Sequence, residues 1–136
     1  MATTWNPIVA GVDASLEGAT AATLACAVAR SAKASCHLVH AVRDQAAETA
    51  GLVREVLLGS VPASLLDRLD VRVGRPTAVL SQVAAQYGAE SIVVGGKHHS
   101  LLGRWLSGST VHDLLRTSPV PVLVAGPGLR IPRRIL

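Results

Sequence analysis

Apolar residues along this chain fall into short β-branched runs separated by longer stretches with helical spacing, and the two kinds alternate throughout. Ile8-Val9-Ala10-Gly11-Val12 predicts a first strand, ending on Asp13. Ser15 and Glu17 open a helix whose small and apolar positions, among them Leu16, Ala19, Ala22 and Ala27, run to Ala32. Cys36 to Val42 reads as a second strand. Gln45 to Leu58 is helical, and after a break at Gly59 the pattern continues from Ser60 through Leu69, with Val61-Pro62 restarting it. Asp70 to Val73 is a third strand, turning at Gly74-Arg75-Pro76. A helix from Thr77 to Tyr87 carries Leu80, Val83 and Ala84 on one face and stops at Gly88. Ser91-Ile92-Val93-Val94 forms a fourth strand. Val111, Leu114 and Leu115 mark a helix that Ser118-Pro119 ends. Val120 to Val124 is a fifth strand, and Pro121 inside it predicts a sheet edge or an interface.

Such alternation implies an α/β domain with a mostly parallel sheet. Ligands of doubly wound sheets sit beyond the carboxyl ends of strands where the strand order reverses. In the order 3-2-1-4-5, that point lies between the first and fourth strands, and the loops flanking it start at Asp13 and Gly95. A carboxylate ending strand one would then face the clearest glycine loop in the chain, Gly95-Gly96 to Gly108-Ser109-Thr110.

Composition sharpens this picture. The 136 residues suffice for one domain, here taken as residues 1–126 with a basic tail over 127–136. Hydrophobic residues make up 49%, with two Trp, one Tyr and no Phe, so the core must be aliphatic. No apolar run approaches the roughly 18–20 residues that span a membrane. Met1 to Pro7 has neither a basic nor an apolar signal region, so the expectation is a cytoplasmic protein. Cys26 and Cys36, one in a helix and one in a strand, read as small core residues rather than a disulfide or redox pair. The net charge of +4 owes three arginines, Arg130, Arg133 and Arg134, to the tail, leaving ten basic against nine acidic residues elsewhere. With no basic face interleaved with aromatics, the body is a poor reader of nucleic acid.

Asp13 can accept hydrogen bonds from ribose hydroxyls or help hold a metal on a polyphosphate; alternatively it caps the helix that follows. The Gly95–Thr110 segment can capture phosphate with backbone amides and the Ser109 and Thr110 hydroxyls, or be an ordinary glycine-rich turn with a Ser/Thr cap. Gly103 to Thr110 has the spacing of a phosphate-binding P-loop, but Ser109 stands where the lysine belongs and Gly103 lies nine residues beyond Val94. There is no G-x-G-x-x-G after the first strand, so a dinucleotide site of that type is not expected. His98 and His99 are adjacent and His112 lies thirteen residues on, a poor spacing for a metal. His37 and His40 read as packed or surface residues. No nucleophile elbow is present, and no catalytic residue is assigned.

These residues resemble the universal stress protein family, whose adenine-nucleotide-binding members carry G-x2-G-x9-G-[ST] after the fourth strand. Here the frame is Gly95-x2-His98-x9-Gly108-Ser109. Ile8 to Ser15 is similar to that family's opening strand with its Asp. His40-Ala41-Val42, Gly74-Arg75-Pro76 and Ser118 to Val124 match as well, so the resemblance covers residues 6–126. It implies a Rossmann-like five-stranded parallel sheet in the order 3-2-1-4-5, with helices on both faces. It implies a homodimer paired through the fifth strands (Val120, Val122, Val124), and a regulatory role in stress survival rather than catalysis. It further implies ATP or a related adenine nucleotide, with Mg²⁺, held by Gly11, Val12, Asp13, Ala41, Gly95, His98, Gly108, Ser109 and Thr110. Asp13 would meet the ribose or metal–phosphate region and Ala41 would lie against adenine through its backbone. His98 is the departure: a glycine there permits φ > 0 and a close approach of phosphate to backbone. Either the imidazole blocks the site, leaving an interaction module that works through partner proteins, or it swings outward toward the phosphates. Slow nucleotide hydrolysis is a third, weaker reading, since no base–nucleophile pair is evident.

Overall fold

A computed structural model describes residues 6–13, 16–42, 47–95 and 108–125. The chain runs β1 (Ile8–Gly11), α1 (Leu16–Ala32), β2 (Cys36–Val42), α2 (Ala47–Leu57), α3 (Ala63–Asp67), β3 (Asp70–Val73), α4 (Pro76–Tyr87), β4 (Ser91–Gly95), α5 (Gly108–Thr117) and β5 (Val122–Ala125). All five strands pair in parallel, in the order β3-β2-β1-β4-β5, as expected from the sequence.

Parallel neighbours require crossover helices, which cover both faces and bury the central strands completely. On one face Ile8, Ala10, Val12, Leu38 and Val93 pack under the alanine-rich side of α1 (Ala21, Ala22, Ala25, Ala29), with Val53 and Leu57 of α2 and Leu66 of α3. On the other, Val9, Val39, Ala41, Ile92 and Val94 meet Val79, Leu80, Val83 and Ala84 of α4 and Leu114 of α5. Among the described residues, the buried members of both core layers are aliphatic.

Local boundaries follow side-chain chemistry. Pro76 opens α4 at a position where its missing N–H costs nothing. Gly88 closes the same helix in the left-handed conformation (φ 63°), and the Ala89 N–H returns to Ala84 O at 2.8 Å. α1 ends in the same hydrogen-bonded turn, but with Lys33 at φ 55° in the glycine position.

Two expectations need correction. The helical pattern through Leu69 condenses to the five residues of α3: a Leu58–Val61 bridge occupies the segment before it, and Pro62 serves as its N-cap. Pro121 stands just before β5 rather than inside it, and its carbonyl accepts the Ile92 N–H at 3.0 Å. The edge position of β5 comes from the strand order, not from a proline within the ladder. Cys26 and Cys36 are free and half-buried against the α1 layer, with their thiols hydrogen-bonded to each other. No helix among the described residues is long and apolar enough to cross a membrane.

Candidate functional site

The switch point falls between β1 and β4. From β1 the chain crosses through α1 to β2 on one face, and from β4 it crosses through α5 to β5 on the other. In a parallel crossover the helix starts at the carboxyl edge of the sheet. The N-termini of α1 and α5 therefore both lie at that edge, and their dipoles direct partial positive charge there. The first turn of α5 holds no acidic residue that would compete with an anion.

Strand register sets which residues meet at this edge. Ala10 pairs with Val93 and Gly11 with Val39. Continued along the strands, that register sets Val12 beside Gly95 and Asp13 beside Ala41. Gly11, Val12, Asp13, Ala41 and Gly95 are all buried, with Asp13 only 3% exposed. The Val12 N–H donates to Val39 O at 2.8 Å, so β1 remains tied to β2 up to the residue before the carboxylate.

Two contacts that sequence reasoning missed hold Asp13 in place. Gly18, in the first turn of α1, is so close that a Cβ there would stand 2.5 Å from Asp13 Oδ1, and 2.6 Å from both its backbone N and O. The sequence signal is a glycine in the helix-opening turn five residues after the strand-end carboxylate. His40, 4% exposed, donates from Nδ1 to the Val12 carbonyl at 3.0 Å. A carbonyl can only accept, so Nδ1 carries a proton in this bond, and Nε2 has no partner among the described residues. His40 is thus packed, as expected, and it also pins the backbone next to Asp13. His37 stacks face to face on Tyr87 at 4.1 Å, at the opposite, amino edge. Burial and the nearby Arg68 hold its imidazole below the ordinary range, against a smaller upward pull from Asp70.

The structure therefore brings together five of the nine expected site residues, Gly11, Val12, Asp13, Ala41 and Gly95. Gly108, Ser109 and Thr110 form the first turn of α5, whose start the crossover puts at the same edge. His98 lies outside the described residues, as do His99, Gly96 and most of the Gly103–Thr110 frame. Among the described residues no three His, Cys, Asp or Glu side chains gather as a metal site.

The fold is that of known proteins. A crystal structure of a universal stress protein in complex with cAMP superposes with a TM-score of 0.70 at 25% identity, over 91% of this chain and 98% of that one. A putative universal stress protein from Pseudomonas aeruginosa gives 0.65 at 25% identity, over 91% of this chain and 48% of the other. The universal stress protein from Archaeoglobus fulgidus in complex with dAMP gives 0.59 at 19%, over 90% and 98%. No curated protein sequence matches. The model of the universal stress protein family matches residues 4–126, and the chain belongs to that family.

Proposed function

We propose that this protein is a stress-response regulator that binds an adenine nucleotide at the carboxyl edge between β1 and β4. The observation that carries the reading is the buried Asp13 at the switch point, beside Ala41 and one position beyond Val12 and Gly95, at the sheet edge where α1 and α5 begin. Support comes from the similar universal stress protein whose structure contains cAMP. In this reading the Asp13 carboxylate accepts from ribose hydroxyls and the Ala41 backbone borders the base. Amides of residues 108–110 and the end of β4 at Gly95 meet the phosphates. The pattern favours ATP, and Mg²⁺ would then be held chiefly by phosphate oxygens and water. The domain over 1–126 acts in the cytoplasm as a homodimer through the edge of β5, where Val124 is 40% exposed.

Titration calorimetry with ATP, with and without Mg²⁺, and with AMP and cAMP, tests this reading. Saturable binding of at least one nucleotide, weakened at least tenfold in Asp13→Ala, is the expected result. No heat from any of the four would overturn it. His98 in place of glycine favours the second reading, an interaction module without nucleotide. If it is correct, His98→Gly creates nucleotide binding that the native chain lacks.

A further inference from the structure

Cys26 and Cys36 stand apart from the nucleotide reading. The turn after α1 brings them face to face. Ala34 N–H bonds Ala29 O at 2.8 Å, so helix and strand leave the turn side by side in opposite directions. Cys26 precedes Ala29 by three residues, about 4.5 Å along the helix. Cys36 follows Ala34 by two, about 6.6 Å along the strand. Both climb to similar heights on facing surfaces, and both pack onto the same apolar cluster between α1 and the sheet. Each is half-buried and free, and the two thiols hydrogen-bond to each other.

We propose that Cys26 and Cys36 form an oxidisable dithiol, which a hydroperoxide converts into an intramolecular disulfide joining α1 to β2. The two sulfurs have different parts. Cys36 donates its S–H to the sulfur of Cys26, which favours the Cys26 thiolate against the opposing effect of burial, and Arg30, one turn further along α1, adds positive charge. The same bond and burial raise the Cys36 thiol well above its ordinary range, so Cys36 keeps its proton. The Cys26 thiolate attacks the peroxide oxygen and breaks the O–O bond, becoming a sulfenic acid while the leaving hydroxide takes a proton to form water. Cys36 then loses its proton and attacks the Cys26 sulfur, expelling the second water as the S–S bond forms. Two thiols give up two electrons and two protons, and one hydrogen peroxide becomes two waters.

The test treats the folded full-length protein with hydrogen peroxide, then alkylates with N-ethylmaleimide, denatures, and reads the intact mass. The expected product has lost two hydrogens, takes no maleimide, and yields a linked peptide pair containing Cys26 and Cys36; dithiothreitol restores both alkylation sites. In Cys36→Ser the reaction is expected to stop at a Cys26 sulfenic acid that dimedone traps. Cys26→Ser is expected to leave Cys36 unlabelled by dimedone over the same interval. Two maleimides on the native chain, at a peroxide dose that consumes an equimolar free thiol, would overturn the proposal. So would disulfide-linked dimers in place of the internal bond, or equal dimedone labelling of the two single-serine variants.

Discussion

Gly18→Ala tests whether α1 is seated against Asp13 as closely as the geometry indicates. A Cβ at position 18 would stand 2.5–2.6 Å from three atoms of Asp13, two of them backbone, so relief requires the end of β1 or the first turn of α1 to shift. Inserting a methyl into a packed site costs about 1–3 kcal/mol. Alanine's helix propensity returns up to about 1 kcal/mol of that, less in a first turn. A net loss of about 1–2 kcal/mol is expected. Gly51 provides the control, since it lies exposed inside α2 and a Cβ there meets nothing within 4 Å. Gly51→Ala is expected to stabilise by about 0.5–1 kcal/mol through propensity alone. Urea unfolding followed by circular dichroism, fitted with a shared slope, should separate the two variants by about 2 kcal/mol, the sum of those opposed effects. Equal stability of the two, or a more stable Gly18→Ala, would refute the close packing. If the proposed site is right, nucleotide affinity should fall with Gly18→Ala and stay unchanged with Gly51→Ala.

Leu80 is 1% exposed, with its methyls against Gly11; Leu80→Ala should lower urea stability by about 2–5 kcal/mol, and a loss below 1 would contradict its central place in the α4 layer. The two helix-ending turns make opposite predictions. Lys33→Gly should stabilise by about 0.5–1 kcal/mol by removing left-handed strain, and Gly88→Ala should destabilise by about 1–2; thermal melts that move both in one direction would be inconsistent with those turns. His37 should titrate below 6.5 by NMR, and a midpoint at or above 6.5 would contradict its burial against Tyr87. Because the folded pKa is the lower one, the unfolded chain binds more protons between the two values, so stability is lost as pH falls from 6.5 through the folded pKa. His37→Gln should therefore lose less melting temperature than the native protein between neutral pH and pH 5.5.

Much of the architecture is written in local pattern. Strand runs such as Ile92-Val93-Val94 and helix stops such as Gly88 depend on side-chain period and φ preference, which each short segment carries alone. That is why most boundaries lie within a residue or two of expectation. Where they do not, local backbone chemistry intervened: the Leu58–Val61 bridge occupies the residues before α3, and Pro121, which accepts from Ile92 but has no N–H to donate, leaves β5 to start one residue later. At the candidate site, Asp13 and Gly95 stand out as strand ends, but the seating of Gly18 on Asp13 and the bond from His40 to Val12 do not. Nor does the meeting of Cys26 with Cys36 across a helix and a strand, which the sequence presents only as two small apolar residues. The sequence by itself determined the order and kind of the elements, the aliphatic core and the residues at the strand ends. Tertiary structure alone decided which polar groups touch and how closely neighbouring segments seat. Those contacts depend on strand register and on the distance between helix and sheet, quantities that exist only once segments far apart in the chain have packed.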